Sequence, residues 1–305
     1  MTLGENCYFT RFPAAAGALV PSRMVMSDAW YDATFSDNEA FVQPQDRNFD
    51  ELGERFARNI YGSDKGRIRQ DVLWRHLLES LPALEQSPPL TILDAGCGLG
   101  QLAARLASFG HHMTLCDISA EMLDSAKRLM EGQRHDNEDI LPTACHLLSL
   151  QEMSQYQSSC FDVILCHAVL EWLADPETAI AEIATMLKPG GYLSLSFYNR
   201  DALIYRNLIN GNLRKVKSGD YAGHRGGLTP TTPLSAPQVL TWLAGNGLSI
   251  ESVAGLRVFY DFIPRKVRER LPIEDILELE HYYSRQQPYL WLARYIHVIA
   301  RRSDA

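Results

Sequence analysis

The chain has 305 residues, 46% of them hydrophobic, and a formal net charge of −8. That length suits one large α/β domain, or one domain with an insertion. No apolar run of about 18 residues suggests a membrane span, and the acidic balance argues against a general nucleic-acid binder. Six scattered cysteines without a C-x-x-C pair read as free thiols in a reducing compartment, not as disulfides or metal ligands.

Residues 1 to 44 carry more acid than base and show no periodic face, so a disordered extension is expected there. Glu5 precedes any Lys or Arg, which disfavours an export signal, and Met24 and Met26 stand as alternative starts. From Asn48 the pattern Phe49, Leu52, Phe56, Ile60 fits one helical face ending at Gly62. A basic turn (Lys65, Arg67, Arg69) and a second helix through Val72, Leu73, Leu77 and Leu81 follow. These helices could form a lid, from which Arg69 reaches a bound carboxylate; a solvated helix charge is the alternative.

Leu90 to Leu93 read as a buried strand. It runs into Asp94-Ala95-Gly96-Cys97-Gly98-Leu99-Gly100, and apolar residues at helical spacing (Leu102, Leu106, Phe109) come next. Such a strand–turn–helix can lay an adenosine-type cofactor across exposed amides. Met113 and Leu115 alternate along a second strand ending at Asp117, placed for a carboxylate to accept from ribose hydroxyls. Asp117 could instead cap the next helix, but Ser119 already supplies that cap. The D-x-G-x-G-x-G spacing differs from the dinucleotide pattern G-x-G-x-x-G. It resembles the S-adenosylmethionine site of class I methyltransferases.

The helix through Met122, Leu123, Ala126 and Leu129 precedes a polar loop from Gln133 to Asp139. A third strand near Thr143 to Cys145 leads to Leu147 and Leu148, placed either beside adenine or in ordinary core. Phe161 to Cys166 is a fourth strand, and His167 and Glu171 fall beyond its carboxyl end, where open parallel sheets bind ligands. A satisfied core histidine is the alternative for His167. Asp175-Pro176 starts a helix that Lys188-Pro189-Gly190-Gly191 stops. Tyr192 to Tyr198 makes the fifth strand. The alternation predicts a parallel, doubly wound sheet.

Residues 199 to 237 break the rhythm. Between Arg200 and Gly226, six Lys/Arg against Asp201 and Asp220 leave a local charge of +4. Tyr205, Tyr221 and His224 are interleaved, which suits stacking on splayed bases or else a solvated insertion. A second basic run, 265 to 270, reads equally as a solvated face. A helix from Pro237 to Ala244 leads to two late strands, within Leu248 to Phe262 and Tyr289 to Arg301, expected as a terminal antiparallel pair.

From Gln45 onward the chain resembles the tRNA 5-carboxymethoxyuridine methyltransferase family (the CmoM or SmtA type). The stretches that carry the likeness are Gln45-Asp46-Arg47-Asn48-Phe49-Asp50, Arg58-Asn59-Ile60-Tyr61-Gly62 and His167-Ala168-Val169-Leu170-Glu171-Trp172. Others are Leu195-Ser196-Phe197-Tyr198-Asn199, Gly255-Leu256-Arg257-Val258-Phe259 and Arg294-Tyr295-Ile296-His297-Val298. The resemblance implies a class I, Rossmann-like methyltransferase domain over 45–305 with a basic insertion at 199–237. It implies S-adenosyl-L-methionine as cofactor, and methyl-ester formation on 5-carboxymethoxyuridine at the tRNA wobble position. It assigns Arg69, Gly96, Cys97, Gly98, Asp117, Leu147, Leu148 and His167 to the cofactor.

An ionised acceptor carboxylate needs no general base. No catalytic acid or base is therefore assigned. Arg200, Arg257 and Arg294 are the candidates for holding the substrate carboxylate, with surface charge as their alternative role. The expected partner is tRNA carrying 5-carboxymethoxyuridine, in the cytoplasm, with neither membrane nor metal. Competing readings are a small-molecule carboxyl or O-methyltransferase, and a non-catalytic RNA-binding protein that keeps the fold.

Overall fold

The structure, a computed structural model, describes residues 46–50, 62–86, 88–137, 140–223, 230 and 232–304. The expected N-terminal extension, all but the start of the helix expected through Phe49, Leu52, Phe56 and Ile60, and His224 and Arg225 lie outside the described residues; Phe49 itself is not helical, because Asn48 accepts from the Asp50 amide in a local turn. Helix α1 spans Asp64–Ser80, and Ser63 caps it by accepting a hydrogen bond from the Gly66 amide. The cap and the acidic first-turn Asp64 start the helix early. Lys65, Arg67 and Arg69, expected as a turn, are therefore helical, while Ile68, Val72 and Leu77 form the buried face.

Five strands and their crossovers follow: β1 Thr91–Ala95, β2 His112–Asp117, β3 Ala144–Leu147, β4 Phe161–His167 and β5 Leu187–Tyr198. Helices α2 Gln101–Ala107, α3 Ala120–Asp136, α4 Leu150–Tyr156 and α5 Pro176–Met186 connect them. After β5 come α6 Arg200–Ile209, α7 Leu213–Ser218 and α8 Ala236–Gly245. The chain closes with β6 Leu248–Leu256, α9 Arg265–Arg268, α10 Ile273–Tyr283 and β7 Tyr295–Arg302.

The seven strands form one sheet in the order β3-β2-β1-β4-β5-β7-β6. The first five are mutually parallel, and β7 pairs antiparallel with β5 on one side and β6 on the other. This is the expected parallel sheet with an antiparallel end pair. Alternate side chains of a strand face opposite sides. Hence Leu93 joins the core under α5 and α8, while its neighbour Ile92 joins the core under α2 and α3. Both are fully buried, and burying such a side chain stabilises by about 1.5–3 kcal/mol. No described helix is long and apolar enough to cross a membrane.

Two boundaries differ from the sequence reading. The stretch Gln133–Asp136 continues α3 instead of opening a loop, because its residues still lie within reach of the i−4 hydrogen-bond ladder that ends at Asn137. The Lys188-Pro189-Gly190-Gly191 signal does end α5 at Met186, yet it lies inside β5. A bulge between Phe161 and Val163 absorbs the irregular pairing there, and Gly191 packs against backbone carbonyls that leave no room for a Cβ.

Candidate functional site

The glycine turn between β1 and α2 stands at the carboxyl edge of the sheet. It is pinned to β2, with the Gly96 and Cys97 amides donating to the Cys116 carbonyl at 2.8 and 3.1 Å. Gly96 has φ +69°, and a Cβ there would come within 2.5 Å of Val169 Cγ2. Gly100 has φ +73°, and its bare Cα lets α2 approach Ala126 of α3. Both positions require glycine for packing as well as for backbone angle.

Asp117 ends β2. Its Oδ2 accepts from the Gly98 amide at 2.9 Å and its Oδ1 from the Ser119 amide at 2.9 Å. Ser119, not Asp117, caps α3, as expected. The remaining lone pairs of Asp117 line a cleft that the glycine turn also borders. Burial raises the Asp117 carboxyl, against the pull of the amides. Asp94 is pushed up to about 7 by burial and by the charge of Asp117. Cys97 lines the cleft with its thiol raised far above the usual range by burial, so it is no nucleophile.

Residues 46–50 cross the cleft as a strap fastened at both ends. Asn48 donates to the Ile118 carbonyl at 3.2 Å, and Asp50 accepts from the Ser119 hydroxyl at 2.7 Å. Beyond β4, the Arg47 amide donates to the Trp172 carbonyl and Phe49 meets the Trp172 ring edge-on at 4.9 Å. Asp46, Arg47 and Phe49 thereby become part of the cleft wall. Arg69 enters from α1, with its guanidinium 5.4 Å from the Tyr295 ring.

His167 closes β4 and lines the cleft. Its Nε2 lies 2.9 Å from Ser194 Oγ, which lies 2.8 Å from His297 Nε2. His297 Nδ1 meets His76 Nδ1 at 2.8 Å, and His76 Nε2 meets Ser252 Oγ at 2.7 Å. Burial lowers all three histidines, keeping the rings neutral. The chain ties α1 to β4 through the sheet. Of His167 only Nδ1 is left for the cleft. Glu171, on the short helical turn after β4, also borders the cleft and is fully buried.

Next to Tyr295 lies a charge cluster whose centre, Asp261 with Arg257 and Arg294, is buried and whose outer members, Lys65 and Arg206, are partly exposed. Asp261 has its carboxylate 1% exposed. It pairs with Arg257, with Arg294 at 3.3 Å, with Lys65 at 3.7 Å and with Arg206 at 4.0 Å. Four cations thus face one carboxylate. The other nearby acids are committed: Glu280 to the backbone amides of Val258, Phe259 and Tyr260, and Asp64 to the Tyr260 hydroxyl. Among the described residues, Arg257 Nε, Arg294 Nη2 and Asp261 Oδ1 are buried without a hydrogen-bond partner. Arg257 also sits 6.0 Å from the ring of Tyr295, which lines the cleft. Tyr295 thus links the cluster to the cleft, although none of the five charged groups is itself a lining residue, and the cluster holds more cations than carboxylates.

Of the sequence-derived candidates, Arg69, Gly96, Cys97, Gly98, Asp117, Leu148 and His167 line one cleft. Leu147 is 56% exposed and not among the lining residues. It belongs to β3, whose neighbouring side chains face opposite sides, so only one of the leucine pair can face inward. Arg257 and Arg294 flank the late strands and converge on Asp261, whereas Arg200 starts α6 and contacts Asp201 at 4.0 Å. Asp261 and His76 escaped the sequence reading, and Lys65, Arg206 and His297 entered it only as a basic turn, an insertion charge and part of a family stretch, since the five come from separate segments with no shared spacing. In the basic segment, Tyr221 donates its hydroxyl to the Val216 carbonyl and braces α7. Tyr205 packs against Phe262 while remaining 40% exposed.

Comparison with known proteins adds four findings. The family profile described as a methyltransferase domain matches residues 93–195. The tRNA 5-carboxymethoxyuridine methyltransferase of Escherichia coli K12 is 43% identical over 263 residues, covering 86% of this chain and 98% of that protein. A ubiquinone biosynthesis O-methyltransferase of Xanthomonas axonopodis pv. citri is 29% identical over 59% of this chain and 71% of its own length. Among solved structures, magnesium protoporphyrin IX methyltransferase from Synechocystis PCC 6803 with bound SAH superposes with a TM-score of 0.55 at 20% identity. It covers 84% of this chain and 96% of that one.

Proposed function

Since the chain belongs to the tRNA 5-carboxymethoxyuridine methyltransferase family and is an S-adenosylmethionine-dependent tRNA methyltransferase, we propose that its acceptor is the carboxylate of 5-carboxymethoxyuridine at the wobble position, converted to the methyl ester. The observation that carries this reading is the anion-deficient cluster of Arg257, Arg294, Arg206 and Lys65 around Asp261, beside the cleft. Two buried guanidinium groups, Arg257 and Arg294, share one carboxylate with the more exposed Arg206 and Lys65, an excess of positive charge that suits an anionic partner, and a planar carboxylate matches the guanidinium fork.

The cleft suits the cofactor. Asp117 would accept from the ribose hydroxyls, with Leu148 and Ile118 as the apolar neighbours for adenine. The turn at Gly96, Cys97 and Gly98 would hold the amino-acid part, Arg69 its carboxylate, and His167 would contribute its free Nδ1. The cofactor supplies an electrophilic methyl on a sulfonium and leaves as a neutral thioether. Nothing in this chain has to remove a proton, because the acceptor carboxyl is already ionised near neutral pH. The work of the protein is positioning: the arginine cluster orients the carboxylate, and the strap at 46–50 excludes water. The exposed cations of α7, Arg214, Lys215 and Lys217, would meet tRNA phosphates in the cytoplasm.

Incubation of the protein with cofactor and tRNA carrying 5-carboxymethoxyuridine, followed by nucleoside mass spectrometry, tests this reading. The wobble nucleoside gains one methyl mass, and mild alkali removes it, as expected of an ester. A methyl that resists alkali, or no gain, overturns the reading.

A further inference from the structure

Glu171 has no part in the chemistry above, yet it is the most anomalous group at the cleft. It is fully buried, and among the described residues neither carboxyl oxygen has a hydrogen-bond partner at bonding geometry. An unpaired buried carboxylate is costly, so the group must either keep its proton or meet a positive charge. The charged or titratable groups facing the same cleft are Asp46 and Arg47 from the strap, Arg69 on α1, Asp94 on β1, Cys97 in the glycine turn, Arg105 on α2, Asp117 on β2, His167 on β4 and Tyr295 on β7. Behind it, burial holds the protons of Cys166 and Tyr198 in place. His167 is neutral, and none of these groups bonds directly to Glu171.

We propose that Glu171 is a charge sensor for the sulfonium of the cofactor. It holds a proton while the cleft is empty or contains the thioether product, and gives it up to the buffer when the sulfonium form binds. Burial pushes its carboxyl up to about 8, with Arg69 and the amides of Glu171 and Tyr198 pulling the other way. A positive charge entering the same low-dielectric space favours the carboxylate. The proton account closes over a turnover. One proton leaves on binding the sulfonium, methyl transfer abolishes the positive charge, and one proton returns before the product departs. The inference rests on the cofactor alone, so it can fail while the assignment of the tRNA acceptor stands.

The test is calorimetric titration of the full-length protein with S-adenosylmethionine and with S-adenosylhomocysteine at pH 7.5, in buffers of different ionisation enthalpy. Glu171→Gln mimics the protonated form in shape and charge and serves as the reference, which cancels protons taken up by the ligands and by Asp94. The wild type releases on the order of half a proton more than the variant with the sulfonium ligand, and the two match with the thioether. Equal release by both proteins with the sulfonium ligand overturns the inference, as does an equal excess with the thioether. Infrared difference spectra of the wild type alone give a second readout. The protonated-carboxyl band disappears on binding the sulfonium ligand and persists with the thioether; a band unmoved by either ligand, or lost with both, overturns the assignment.

Discussion

The Nδ1 atoms of His76 and His297 lie 2.8 Å apart, with both rings closed to solvent. One must donate and the other accept, so the pair cannot both be charged. His297 is pushed down to about 3 by burial, and His76 and His167 lie well below the usual histidine range for the same reason. In the unfolded chain each ring binds a proton near pH 6.5. The folded state is therefore fully favoured above that pH and loses stability as pH falls toward the depressed values. Each ring adds about 1.4 kcal/mol per pH unit to the slope. Urea denaturation at pH 7.5, 6.5 and 5.5 should show little change over the first step and a marked loss over the second; a flat profile throughout would contradict neutral rings.

Removing the anion from the cationic cluster should be severe. Asp261→Asn leaves Arg257 and Arg294 buried without a carboxylate, at a cost of about 3–5 kcal/mol. Asp261 is held down to about 2, chiefly by these two arginines acting against its burial. Its contribution is accordingly complete above about pH 4 and vanishes as pH drops toward 2. Thermal unfolding of the variant at pH 7 reads the loss, and a shift of less than a few degrees would argue that water already screens the cluster.

Asp117→Ala removes the carboxylate that braces the Gly98 amide and faces the cleft. Charge-assisted hydrogen bonds are worth about 1.5–3 kcal/mol each. Cofactor affinity should fall by roughly one to two orders of magnitude on losing one such bond, and further if both ribose hydroxyls are held. Calorimetry with S-adenosylhomocysteine checks this, since an unchanged affinity would remove Asp117 from the site.

Helix α7 buries none of its residues and carries Arg214, Lys215 and Lys217. Replacing these three by Glu should leave folding and cofactor binding intact. tRNA affinity should weaken, and the slope of log affinity against log salt should flatten by about one for each phosphate that the protein no longer neutralises. A small acceptor would show almost no salt dependence in wild type or variant. Filter binding across a salt series thus separates a tRNA-docking face from a mere lid.

Periodicity was enough to reveal the five parallel strands and the late pair, because burial on both faces forces continuous apolar runs such as Ile164, Leu165 and Cys166. The cofactor cleft was legible for a related reason: a turn that needs positive φ at alternate positions leaves alternate glycines in the sequence. Helix starts were less visible. Ser63 and Asp64 look like loop residues until the cap they make to α1 is seen. The acceptor cluster was only half legible. Arg257 and Arg294 stood out as charges near apolar strands, but Asp261 and Lys65, 196 residues apart, meet through the tertiary fold alone. The strap was named by its resemblance, while its role depends on Trp172 and Ile118, which no local pattern links to it.

The place of β7 in the sheet has a consequence for biosynthesis. Residues 295–302 pair with β5 on one side and β6 on the other, and no other described strand joins β6 to the sheet. As the chain emerges from the ribosome, β1 to β5 can associate as soon as each is made. β6 has no strand partner until the strand that follows it has been synthesised, although α1 and α8, made earlier, can pack on its faces. In the interval, the open edge of β5 and both edges of β6 are exposed to other chains. Arg257 and Arg294, which flank those two late strands, come together only when β7 has slotted in, so the acceptor cluster is assembled after the cofactor half of the fold.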